Sequence, residues 1–178
     1  MKRILIAGDR LQLRRAEEAD LTYILQLQQK SENRPHIVPY GEEAQLSALK
    51  KNGNTMNLVV EEKADATPVG YLFLDRLKDP FGEVEWTHVI IDKKGVGYGH
   101  ETLKLLKKWS FGVKKYHRAY IDCKEENERA LHLYESEGLV REGVKREYLF
   151  YDGKYENLVL LGILEREYAA RVSAGLEL

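Results

Sequence analysis

Hydrophobic and polar positions along this chain follow two rhythms. A period of two, with β-branched and aromatic residues, predicts strands over residues 10–14, 56–61, 69–75, 83–91, 117–123, 140–151 and 154–164. A helical period predicts four helices. In the first, over 17–30, Leu21, Ile24, Leu25 and Gln28 share one face. The second spans 42–51 and is closed by Asn52-Gly53. The third runs to about Gly112 and carries Thr102, Leu105, Leu106, Trp109 and Val113 as its core stripe. The fourth covers 128–137, with Asn127 as N-cap and Gly138 as C-cap. Asp152-Gly153, between the last two strands, is a strong hairpin signal. Residues 2–7 fit either an additional short strand or a frayed start, and 165–178 read as a polar tail.

The element order is therefore β α α β β β α β α β β. Three consecutive strands before the central helix imply an antiparallel half, and the strand–helix–strand unit over 83–123 implies a parallel pair. The expected fold is mixed α/β, with helices covering a twisted sheet of about seven strands. No linker or repeat divides the chain, so 1–178 is expected to be a single domain with its core over 10–164.

Composition narrows the class. With 178 residues, 43% of them hydrophobic, and 28 Lys+Arg against 29 Asp+Glu, the chain has no basic excess that would suit nucleic acid. The single cysteine, Cys123, excludes an internal disulfide and suits a reducing cytoplasm. No apolar run approaches membrane-spanning length, and Ile4-Leu5-Ile6-Ala7 is too short for a signal-peptide core. The five histidines show no metal-ligand spacing.

The candidate chemistry begins where the strand over 83–91 gives way to the third helix. Gly95, Gly97 and Gly99 stand at alternate positions at that junction. A helix start presents unpaired N–H groups and the positive end of the helix dipole, and glycines let a phosphate approach the backbone. A dinucleotide fingerprint is excluded because His100 stands at the third glycine position, and no Gly-Lys-Ser/Thr follows to make a nucleotide P-loop. A phosphate cradle and a plain tight turn remain.

Lys94-Gly95-Val96-Gly97-Tyr98-Gly99 resembles the acetyl-coenzyme A signature of the GNAT N-acetyltransferases, Gln/Arg-x-x-Gly-x-Gly/Ala. Asn127, Ala130, Tyr134, Gly138 and Leu139 are similar in spacing to that superfamily's Asn-x-x-Ala-x-x-x-Tyr-x-x-x-Gly-Phe element. Arg10-Leu11-Gln12-Leu13-Arg14 resembles the opening strand of its ribosomal-protein (RimJ/RimL-like) branch. Arg146-Glu147-Tyr148, Asp152-Gly153-Lys154-Tyr155 and residues 158–164 resemble that branch's closing hairpin. Lys94 departs from the usual Gln or Arg and Leu139 from Phe; Lys94 keeps the cation but loses the planar fork.

The resemblance implies a GNAT fold whose two central parallel strands splay to admit acetyl-CoA. The amides of Gly95 through Gly99, Val96 and Tyr98 included, would hold the pyrophosphate, with Lys94 near it. Main-chain groups near Val89 and Ile91 would pair with the pantetheine arm. Asn127 would cap its helix and meet the arm, Ala130 would let it pass, and Tyr134 would protonate the departing thiolate. The side chain of Tyr98 is expected to pack.

An amine of pKa about 10.4 needs a base or a water chain to lose its proton. Strict alternation along 83–91 puts Glu83, Glu85, Thr87, Val89 and Ile91 on one face and Val84, Trp86, His88 and Ile90 on the other. Glu85 is where the superfamily often places its base; His88 is the rival, expected to point away from Glu85 and to pack, and water is a third possibility. Cys123 has no basic neighbour at motif spacing, which argues against a covalent acetyl-cysteine route. The lysines at 104, 107, 108, 114 and 115 read as a solvated face, Lys104 nearest the cradle.

The expected activity is direct acetyl transfer from acetyl-CoA, without a metal, to a protein N-terminus or a small amine. The competing reading is a non-catalytic acyl-CoA-binding module. Edge strands in the closing hairpin also permit a homodimer.

Overall fold

The computed structural model describes residues 3–50 and 53–178. Among these residues, β1 (Ile4–Ala7), β2 (Leu11–Arg15), β3 (Met56–Glu62), β4 (Pro68–Asp75), β5 (Glu83–Ile91), β6 (Arg118–Lys124), β7 (Val140–Tyr151) and β8 (Lys154–Leu164) form one sheet. Its order is β1-β2-β3-β4-β5-β6-β8-β7, and only β5 and β6 run parallel. The eighth strand beyond the seven expected is β1, which pairs with β2 and decides the choice left open at the start of the chain. Lys2 lies outside the described residues.

α1 (Leu21–Gln29) and α2 (Glu42–Leu49) cover one face of the sheet. Ile24, Leu27 and Ala48 pack there on Val59, Tyr71, Phe73 and Ile90. Lys51 and Asn52, expected to close α2, fall outside the described residues. α3 (Tyr98–Lys107), α4 (Glu128–Ser136) and α5 (Glu165–Ser173) cover the other face, where Trp86, Leu103, Leu106, Leu131 and Tyr134 meet in the larger core cluster.

Three expectations fail, each for a reason outside local pattern. The segment 165–178 is not a polar tail: its first nine residues form α5. The Tyr168 ring of α5 stacks on Phe111 with centroids 5.2 Å apart, and the Leu164 N–H donates to Glu167 at 2.9 Å. The third helix continues beyond α3 as a π-helical turn over Lys108–Val113, so Thr102, Leu105, Leu106 and Trp109 are buried but Val113 is 57% exposed. The extra residue per turn rotates the stripe off the core.

Lys107, placed by its neighbours on a solvated face, is fully buried. Its ammonium donates to the Glu137 carbonyl at 2.8 Å, to the Glu137 carboxylate at 3.0 Å, and to Glu177. Arg171 of α5 adds a bond to Glu177 at 2.5 Å. Shared partners of opposite sign are what make these charges tolerable in the interior.

Candidate active site

β5 and β6 stay paired for only three positions, Glu83–Arg118, Val84–Ala119 and Glu85–Tyr120. Both strands then run on, to Ile91 and Lys124, without bonding to each other. The gap opens into a cleft of about 1010 Å³, at the upper end of ordinary ligand pockets. Glu85, Val89 and Ile91 line one wall, Ile121, Asp122 and Cys123 another, and the glycine bend and the start of α4 close the end.

The backbone of the bend is built as the glycine spacing suggested. Gly95 and Gly97 take φ of 81° and 83°, in the left-handed region. Gly97 is the N-cap of α3 and no side chain caps that helix, so its first amides keep their free N–H groups. At Gly99 a Cβ would meet Leu133 Cδ2 at 2.9 Å, so this glycine lets α3 and α4 close up beside the cleft.

The side chains of the bend are held by partners around it. Tyr98 donates its hydroxyl to Glu62 at 2.8 Å and is nearly buried, a packing residue as expected. Val96 is exposed, and its carbonyl accepts from Arg10 Nη1 at 2.9 Å. Lys94 lines the cleft with its ammonium engaged: it donates to Asn33 Oδ1 at 2.7 Å and pairs with Glu32 at 3.0 Å, tying the bend to the segment after α1. Arg10 was missed as a brace. It also bonds Glu101, a buried carboxylate that accepts the Arg10 and Leu11 amides at 2.7 and 2.9 Å.

On α4, Asn127 caps the helix by accepting the Ala130 N–H at 3.3 Å, and Ala130 and Tyr134 lie on the same wall of the cleft. Tyr134 is 5% exposed, and among the described residues no group hydrogen-bonds its hydroxyl. Burial holds that phenol well above its ordinary pKa, so it remains a proton donor throughout the neutral range. The neighbouring Cys123 thiol is pushed up to about 12 by burial, which keeps it protonated and a poor nucleophile.

The geometry of β5 overturns the expected separation of Glu85 and His88. Phe73 pairs with His88 but Leu74 with Trp86, so Thr87 is an extra residue and the strand bulges there. Alternation restarts after the bulge. Glu85 therefore lies on the same face as His88 and Ile90, whereas Val89 and Ile91 face the larger core cluster with Trp86.

Even so, His88 is ill suited as a base. It is 6% exposed, with Nδ1 2.7 Å from the Tyr71 hydroxyl and its ring 4.7 Å from that of Tyr40. Burial pulls its pKa down to about 4, against a hydrogen bond to the Val38 backbone. Glu85 behaves oppositely: burial raises its pKa, and Asp122 and Asp75 add to the rise, while the Tyr120 hydroxyl donates to it at 3.1 Å. A carboxyl raised in this way is a better proton acceptor from an amine. Tyr120 and Asp122 were missed: alternation with Ile121 and Cys123 puts the two on one face of β6, and only the pairing of β6 with β5 makes it the Glu85 face.

The slot thus has a weakly acidic carboxyl on one face of the sheet and an unpartnered phenol on the other. Residues 10–140 match the Acetyltransferase (GNAT) domain. The chain belongs to the GNAT acetyltransferase family. Over 174 residues, 92% of the chain, it is 27% identical to spermidine N(1)-acetyltransferase of Vibrio cholerae and covers 98% of that protein. It is 24% identical to the Escherichia coli spermidine N(1)-acetyltransferase over 169 residues, 90% of this chain and 89% of that one.

The crystal structure of the Vibrio cholerae spermidine N-acetyltransferase in complex with CoA and spermine superposes with a TM-score of 0.81 at 26% identity, covering 91% of this chain and 99% of that one. These are spermidine enzymes, so the likeness does not single out the ribosomal-protein branch. This GNAT protein is an acetyl-CoA-dependent N-acetyltransferase, with the mixed sheet of its family. Among the described residues no helix is long and apolar enough to cross a membrane.

Proposed function

We propose that this acetyltransferase transfers the acetyl group directly to a small polyamine-type acceptor, with Glu85 as base and Tyr134 as acid. The observation that carries this is the parting of β5 and β6 beyond Glu85, which puts both groups on one cleft from opposite faces of the sheet. Glu85 takes a proton from the acceptor amine, the nitrogen bonds the acetyl carbon, the carbon–sulfur bond breaks, and Tyr134 gives its proton to the sulfur. The unpartnered Tyr134 hydroxyl and the raised Glu85 carboxyl support these roles.

For the cofactor, the uncapped amides from Gly95 to Gly99 suit the pyrophosphate, and the main chain near Val89 and Ile91, paired with β4 but unpaired on its β6 side, suits the amides of the pantetheine arm. Asn127 and Ala130 flank that path. Lys94, occupied by Asn33 and Glu32, anchors the bend.

Carboxylates support the choice of acceptor: Glu32, Glu85, Asp122 and Glu126 all line the cleft, where acceptor ammonium groups would replace the Lys94, Lys145 and Lys154 partners of Glu32, Asp122 and Glu126. The spermidine relatives point the same way, and they weigh against a protein N-terminus. A cytoplasmic, single-domain protein fits the free cysteine and the unbroken sheet. A homodimer through β7 fits its place at the sheet edge and its exposed Val140, Val144 and Phe150.

The test is release of free CoA from acetyl-CoA with spermidine, spermine, amino sugars and short peptides bearing a free N-terminus. Turnover on peptides with none on polyamines would reverse the assignment of the acceptor. CoA binding without turnover on every amine would favour a binding module.

A further inference from the structure

Tyr120 stands across from Glu85 in the last pair before the strands part. Its hydroxyl lies 3.1 Å from Glu85 Oε2 and 3.3 Å from Arg76 Nη1. A guanidinium carries only donors, so the phenol oxygen accepts from Arg76 and its proton is directed to Glu85. The Tyr120 ring is flanked by two guanidiniums, with Arg76 Cζ 5.9 Å and Arg118 Cζ 4.8 Å from its centroid. Arg76 itself holds φ of 61°, a region that a side chain this size rarely occupies. Asp79 and Glu83, the latter at 3.2 Å, hold its guanidinium. Strain of this kind persists where the surroundings over-determine a conformation.

We propose that Tyr120 is a positioning residue for Glu85, fixing one carboxylate oxygen against β6 and leaving the other for the acceptor amine. The inference rests on the reading of Glu85 as the base. Charged and titratable groups face Glu85 from several elements: Asp75 at the end of β4, Asp122 on β6, Tyr40 before α2 and Lys145 on β7. His88 shares its face of β5. Burial and the two aspartates favour the protonated carboxyl, which cannot accept a proton. The Tyr120 bond, and after it a smaller contribution from Thr87, opposes them and favours the charged form.

Removing the hydroxyl removes a bond to the charged form, so Glu85 protonates at higher pH. Carboxyl ¹³C NMR of the intact protein, with the Glu85 resonance assigned through Glu85→Gln, reads that midpoint without needing an acceptor. In Tyr120→Phe the midpoint rises by about one pH unit, the order expected for one hydrogen bond to a charge. The acid limb of kcat with spermidine moves with it, while CoA affinity stays within twofold. Arg76→Met, which keeps Tyr120 but loses the donor that orients it, shifts the midpoint the same way by less, and supplies the answer should the phenylalanine variant fold poorly.

A Glu85→Gln variant acetylating spermidine at the wild-type rate would overturn the base reading and this proposal with it. Loss of rate in Glu85→Gln together with an unmoved midpoint in Tyr120→Phe would overturn the positioning role alone.

Discussion

Replacing Tyr134 with phenylalanine isolates a single proton. The ring sits in the larger core cluster with Leu131 and Cys123, and phenylalanine retains those contacts. Because no described group hydrogen-bonds the hydroxyl, deleting it strands no buried partner, and stability should change by less than about 1 kcal/mol. The catalytic cost is of another size. A general acid typically contributes 10²- to 10⁴-fold, and a thiolate of pKa about 8.5 is already a fair leaving group, which places the expected loss near the lower end, about 100-fold in kcat. That corresponds to about 2.7 kcal/mol of transition-state stabilisation. Steady-state CoA release with spermidine gives kcat, calorimetry gives CoA affinity, and urea unfolding gives stability. A rate within threefold of wild type would refute the acid role. Equal losses in rate and CoA affinity would show that the phenol binds the cofactor and does not donate a proton.

His88 has a folded pKa of about 4, below its unfolded value near 6.5, so the unfolded state binds more protons between them. Its contribution is intact well above pH 6.5 and is lost as pH falls through that value, about 1.6 kcal/mol between pH 6.5 and 5. Urea unfolding of His88→Leu across that window should lack this slope, and an unchanged slope would locate the acid sensitivity elsewhere. Lys107→Met leaves Glu137 and Glu177 facing each other in the interior and should cost about 3 kcal/mol in urea unfolding, with faster proteolysis at α5. A loss under about 1 kcal/mol would show that Arg171 and His100 suffice to neutralise them.

Much of this architecture was legible in the residues alone. Glycines at 95, 97 and 99 between an apolar run and an amphipathic stripe located the bend, because glycine adopts the left-handed dihedrals found at Gly95 and Gly97 at the least steric cost. The interval from Asn127 to Tyr134 placed a cap and a phenol on one wall of a helix, since two turns nearly restore the same face. Turn residues such as Asp152-Gly153 located the final hairpin; both take positive φ. These are local constraints, satisfied within a few residues, and the chain states them wherever it folds.

What the tertiary structure decided depended on partners distant in sequence. The bulge at Thr87 exists because β4 offers one residue fewer than β5, and it carried Glu85 to the His88 face. Lys107 is buried because Glu137 and Glu177 arrive from α4 and the end of the chain, and the last helix formed because Phe111 gave Tyr168 a surface to stack on. The pairing of Tyr120 with Glu85 likewise needed two strands to run parallel for three residues and then separate. Periodicity assigns a side chain to a face only while the register is unbroken, and register is a property of two strands, never of one.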